Sequence, residues 1–100
     1  MLIPDCVEFN VILNGYNGEL LEKLGQLLIC RDAYWKLANN WQPNWEDEEQ
    51  CKFVIYRFRD SILKDSTYIN PSILAFHTAE MRDIFYYNFK ELINECKELL

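Results

Sequence analysis

The sequence predicts an α+β domain in which two amphipathic helices pack on one face of a small antiparallel sheet, giving a two-layer single domain. Three observations carry that prediction. Apolar residues recur at three- and four-residue spacing in two separate stretches, residues 19–40 and 78–99, as a helix with one buried face requires. Between them, residues 51–76 hold short alternating or apolar runs separated by turn residues, the pattern of antiparallel strands. The chain has 100 residues, half of them apolar and 15% aromatic, which is enough for one core and too little for a second domain of ordinary size.

In chain order, residues 6–13 alternate Val7, Phe9, Val11 and Leu13 on one side, so residues 1–18 are expected to contain a short strand or arm. Asn14-Gly15-Tyr16-Asn17-Gly18 has turn chemistry, with Asn17 as the candidate cap of the first helix and Glu19 suited to its positive end. The stripe Leu20, Leu24, Leu27, Leu28, Tyr34, Trp35 and Ala38 then marks a helix ending by Asn39 or Asn40, with Glu22, Lys23, Gln26 and Arg31 off the buried face. Pro43, inside Trp41-Gln42-Pro43-Asn44-Trp45, stops helical continuation.

From residue 51 the period becomes two. Cys51, Phe53 and Ile55 share one side and Val54, Tyr56 and Phe58 the other, which makes this the clearest strand. Arg59-Asp60 is expected to turn the chain into Ser61-Ile62-Leu63-Lys64, and Ser72 to Phe76 to form a last short strand after Asn70-Pro71. Thr78 is the expected cap of the second helix, with Glu80 in its first turn and Lys97 in its last. Met81, Phe85, Phe89, Leu92, Ile93, Cys96 and Leu100 form its buried stripe, and Arg82, Asp83, Lys90, Glu91, Glu95 and Glu98 are expected to face water.

Ten basic residues against sixteen acidic ones give a net charge of −6, and the bases are scattered singly. That balance disfavours direct nucleic-acid binding, which draws on a basic stripe that displaces counterions. The longest apolar run falls far short of a membrane span, so no membrane partner is expected. Cys6, Cys30, Cys51 and Cys96 form no CxxC pair, and Met-Leu-Ile-Pro-Asp lacks the start of a secretory leader. A cytosolic protein with reduced thiols, each acting as a small buried hydrophobe, is therefore expected.

The motifs Arg31-Asp32-Ala33-Tyr34, Trp41-Gln42-Pro43-Asn44-Trp45, Lys52-Phe53-Val54-Ile55-Tyr56, Leu74-Ala75-Phe76, and the run from Glu80 through Phe85-Tyr86 to Ile93, occur in that order. Over residues 19–100 the chain resembles a family of small uncharacterised proteins encoded by phages and mobile elements of gut bacteria. The resemblance implies a compact α+β fold and a phage or mobile-element origin, with the host bacterial cell as setting. It brings no catalytic residue, cofactor or substrate.

Trp41 and Trp45 flank a proline in an expected loop, where indoles either fold over the core or serve as rigid anchors for a protein partner. Glu46, Asp47, Glu48 and Glu49 follow directly. Their spacing lacks the alternating acids and central Gly of a calcium loop, leaving a solvated turn or an acidic edge that imitates nucleic-acid phosphates in the basic groove of a partner. His77, the only histidine, would need a cysteine beside it in space for nucleophilic catalysis, and no zinc-ligand spacing or phosphate-cradling or hydrolase motif occurs. Adjacent Tyr86 and Tyr87 point about 100° apart on a helix, so they cannot both face one core.

The expected function is a non-enzymatic protein-binding module without metal or other cofactor. Its binding residues are Trp41, Trp45, Glu46, Asp47, Glu48 and Glu49, and its concrete version is an inhibitor of a host defence complex of the anti-CRISPR kind, whose partner binds nucleic acid. The alternative is a virion assembly or self-associating accessory protein, a homo-oligomer held by aromatic contacts.

Overall fold

The computed structural model describes residues 18–100. The strand expected at 6–13, the Asn17 cap and Cys6 lie outside the described residues. Helix α1 spans Gly18–Leu37, strands β1, β2 and β3 span Lys52–Phe58, Ser61–Thr67 and Leu74–Phe76, helix α2 spans Ala79–Glu95, and a 3-10 turn follows at Lys97–Leu99. The sheet order is β2-β1-β3 with both pairings antiparallel. The fold class is thus α+β, two helices with a three-stranded antiparallel sheet.

The period-two pattern of β1 sets the layers. Phe53 lies opposite Phe76 and Ile55 opposite Leu74, which places these four side chains on one face of the pleat. Ile55, Leu74 and Phe76 are buried with Leu27 of α1 and with Phe85, Ile93 and Cys96 at the α2 end of the chain, so both helices cover that face. Tyr34 stands edge-on to Phe85 at 5.2 Å, and Phe85 is tilted against Phe76 and Phe89 at 4.7 Å each. These contacts use the favourable edge-to-face geometry of aromatic quadrupoles. The stripe expected on α2 is the one that packs, and of the two adjacent tyrosines Tyr87 is the exposed one, at 83%.

The helix ends differ from expectation. Asn39 and Asn40 both adopt left-handed backbone, φ 59° and 61°, so α1 closes at Leu37 and the stretch expected to be helical to residue 40 ends in a turn. Thr78 caps α2 as expected, its hydroxyl accepting from the Met81 N–H at 3.1 Å. The helix breaks locally at Phe89 (φ −119°, ψ 19°) and ends at Glu95. Lys97, expected in its last turn, lies in the 3-10 turn and donates to the Asp60 carbonyl at 3.2 Å, tying the chain end to the hairpin tip. The last strand is Leu74–Phe76, shorter than residues 72–76 because Ser72 turns its hydroxyl to the Ile55 carbonyl at 2.9 Å.

Two charged residues expected in water are not there. Arg82 is 14% exposed at its side chain; its guanidinium lies 5.8 Å from the Phe53 ring centroid and donates to the Asp65 carbonyl at 2.9 Å, strapping α2 to β2. Arg31 is 3% exposed. Its Nη1 donates to the Ile73 carbonyl at 2.8 Å, its Nε and Nη2 hold Asp32 Oδ1, and the guanidinium stacks 4.1 Å from the Trp35 ring centroid. The periodicity misplaced both because it registers charge and cannot register a carbonyl waiting at a strand edge. The cysteines also divide: Cys96 is buried, whereas Cys30 and Cys51 are half-buried, and all three are free thiols.

Candidate functional site

The loop between α1 and β1 contains every residue expected to bind a partner, and its own hydrogen bonds shape it. Gln50 closes the loop: its Oε1 accepts from the Asn44 N–H at 2.6 Å and its Nε2 donates to the Gln42 carbonyl at 3.1 Å. Within the closure, Asn44 Oδ1 accepts from the Glu46 N–H and Asp47 Oδ1 from the Glu49 N–H, at 3.1 and 2.9 Å. Both are short Asx turns, so two polar side chains are used to fold the backbone. Glu46, Asp47, Glu48 and Glu49 are all exposed. None of the four carboxylates is ion-paired with a described residue.

The loop is fastened underneath by Lys52, the first residue of β1, which is 0% exposed. Its ammonium donates to the Asp47 carbonyl at 2.9 Å and the Tyr68 carbonyl at 2.5 Å, and stands 5.2 Å from the Trp45 ring centroid. Two carbonyl acceptors and an indole face hold a buried cation that has no carboxylate partner among the described residues. Neither Lys52 nor Gln50 stood out in the sequence as a residue that positions the loop. A lysine opening an otherwise alternating strand was the available signal.

The two loop indoles take separate positions. Trp41 is half-buried, stacked on the exposed His77 ring at 5.5 Å and edge-on to Trp35 at 6.2 Å. Trp45 is half-buried over Lys52 and forms one wall of a groove of about 400 Å³. Pro43 joins Trp45 on the loop side, Arg31 and Trp35 line the α1 side, and Pro71 and Ile73 close it from the segment before β3. Trp41 does not line this groove; it belongs to a smaller one of about 180 Å³ with Asp32, Lys36 and Asn40.

The floor of the larger groove is fixed by α1. Trp35 Nε1 donates to the Ala75 carbonyl at 2.7 Å and Arg31 Nη1 to the Ile73 carbonyl, two residues earlier on the same strand edge. Residues 31 and 35 are one helical turn apart, so a single face of α1 satisfies the carbonyl of Ala75 in β3 and that of Ile73 just before it. No buried side-chain nitrogen or oxygen among the described residues lacks a hydrogen-bond partner. No group of three His, Cys, Asp or Glu side chains among the described residues is placed to hold a metal ion, and no described helix is long and apolar enough to cross a membrane.

On the opposite face of the sheet, Tyr56 is half-buried and Phe58 and Leu63 are exposed, while Tyr68 and Ile69, in the segment just after β2, are exposed as well. The Tyr68 backbone meets the acidic loop at the Lys52 ammonium, which also holds the Asp47 carbonyl. Comparison with protein-family models, with curated proteins and with solved structures finds no match to the chain.

Proposed function

We propose that this protein is a non-enzymatic protein-binding module whose binding edge is the loop of residues 41–50 and the groove beside it. The observation that carries the reading is the pairing of two properties in one rigid segment. Four exposed carboxylates are displayed by a loop that Gln50 and Lys52 hold in shape, and the same loop supplies Pro43 and Trp45 to an apolar groove. Anchoring in a preformed groove and a uniform charge at its rim are what a basic protein surface recognises, the groove giving affinity and the charge giving orientation and rate. Trp41 contributes by buttressing Trp35 and His77.

The phage or mobile-element setting suggested by the resemblance makes the partner a nucleic-acid-binding protein of a host defence complex, with the acidic edge standing in for phosphates. The bacterial cytoplasm is the corresponding compartment. The test is capture of partners from host lysate at low and high salt, comparing the wild-type chain with the fourfold variant Glu46→Gln, Asp47→Asn, Glu48→Gln, Glu49→Gln. The amide at position 47 retains the oxygen that accepts the Glu49 N–H, so the loop keeps its shape. A salt-sensitive basic partner lost with the variant supports the module; the same proteins bound by both chains, or none by either, overturn it.

The open sheet face favours a second reading, a self-associating accessory or assembly protein. Phe58 and Leu63 give it exposed apolar area, extended by Tyr68 and Ile69 just after β2. Sedimentation at micromolar concentration separates the two: a stable symmetric oligomer supports self-association, and a monomer that binds a basic partner supports the module.

A further inference from the structure

The binding reading leaves open what conformation a partner segment would adopt in the groove beside the acidic loop. Three modes use secondary-structure physics: strand addition to a sheet edge, an amphipathic helix in a groove, and an extended polyproline-type segment on aromatic walls. The geometry discriminates among them. The groove lies against the segment that leads into β3; a strand added there would need free carbonyls, and those of Ile73 and Ala75 already accept from Arg31 and from Trp35 Nε1 at 2.8 and 2.7 Å. Strand addition is therefore blocked there.

A helix with its side chains is a cylinder about 10–12 Å across that meets a groove with a rounded face. A polyproline-type segment is narrower, needs no backbone hydrogen bonds of its own, and lays flat pyrrolidine rings on flat partners. The walls here are of that kind: indoles of Trp35 and Trp45, rings of Pro43 and Pro71, and the Ile73 side chain. Donors for the unpaired carbonyls of such a segment are also in the lining. Gln42 carries a side-chain amide, and Arg31 uses three of its five N–H groups in the bonds to Asp32 and Ile73, which leaves two.

We propose that the groove between α1, the acidic loop and the segment before β3 binds a proline-rich segment of a partner protein in extended polyproline form, with flanking basic side chains lying on Glu46 to Glu49. The assignment rests on the protein-binding reading and narrows it to a ligand class. The prolines supply a preordered backbone that loses little entropy on docking, and the flanking charges set the direction in which the segment lies.

The experiment is a fluorescence titration of the full chain, read on the emission of its tryptophans, with a synthetic peptide of alternating Pro-Pro-Leu units flanked by two arginines at one end. Expected is saturable binding that weakens about tenfold or more when the prolines are replaced by alanine and by a similar factor in Pro71→Ala, with added salt weakening it further. Trp45→Phe, checked for folding by circular dichroism, gives a second variant with an altered wall. Lack of saturation up to about 1 mM peptide, or equal binding of the alanine peptide, overturns the proposal. An emission change that follows protein concentration in the absence of peptide also overturns it, by placing a second copy of the chain in the groove. If the lysate partner still depends on Glu46 to Glu49 but the proline peptide neither binds nor displaces it, the module reading stands and this ligand class falls.

Discussion

At Arg59 the backbone takes φ 58°, a conformation that costs an ordinary L-residue about 1 kcal/mol and that a tight two-residue turn between right-twisting strands demands. Replacing it with glycine is expected to raise stability by about 1 kcal/mol, read from the urea midpoint. Its guanidinium over the Phe58 ring, 5.4 Å from the centroid, is exposed and offsets little of the strain. Cys96 is a second case of environment deciding behaviour. Burial pushes its thiol up from the ordinary value of 9.0, and its Sγ donates to the Leu92 carbonyl at 3.2 Å. Thiol labelling of the folded chain should therefore reach Cys30 and Cys51 while Cys96 reacts only at the rate of unfolding. Asp83 shows the opposite shift. The Arg82 side chain bonded to it, joined by Lys64, holds its carboxyl below the usual 3.8. The unfolded chain then binds more protons in acid, so the contribution is complete above the ordinary aspartate value and fades as pH falls through the native one. Asp83→Asn should flatten the acid limb of a plot of melting temperature against pH.

Strand edges and loops are where the elements were least legible in the sequence. The α1 stripe, the β1 alternation and the Thr78 cap could all be read because each depends on a local period or on one side chain reaching its own helix end. Arg31 could not, because its burial follows from the Ile73 carbonyl, just before β3 and forty-two positions later in the chain. The same holds for Trp35, which reads as core and in fact spends its indole N–H on Ala75. Trp35→Phe, which keeps the ring and removes the donor, should cost about 1 kcal/mol, and Arg31→Met about 2–3 kcal/mol because a charge-assisted bond to a partly buried carbonyl is lost. Their effects should exceed additivity, since either side chain alone keeps β3 docked. The acidic run could be seen as a patch from its residues alone, but that the patch is shaped depends on Lys52 and Gln50, and a buried lysine contradicts the usual rule for its type. Lys52→Met should loosen the loop and cost about 3 kcal/mol, with the amide protons of residues 46–50 exchanging faster while those of α2 are unchanged.

For the molecule as a whole, net charge and shape divide the surface into zones. The groove lies beside the segment leading into β3; the acidic residues lie by Lys52 at the start of β1 and by Tyr68; Tyr56, Phe58 and Leu63 share the sheet face away from the helices; and β2 forms the far edge with no strand beyond it among the described residues. With a charge of −6, self-association should be salt-dependent in the sense opposite to partner binding: added salt weakens attraction to a basic protein and relieves repulsion between copies. Sedimentation at two ionic strengths checks this directly, and a dimer population that grows with salt is the expected result. The way α1 seals β3 also limits how such copies can join. Among the described residues, each chain has a three-stranded sheet with the edge at and just before β3 occupied by side chains of its own helix. If two copies meet edge to edge through β2, the shared sheet has a sealed margin at each end and admits no third chain. Arg31 and Trp35 thereby act as chain terminators, limiting edge-to-edge growth to a pair and denying the sheet a route to filaments.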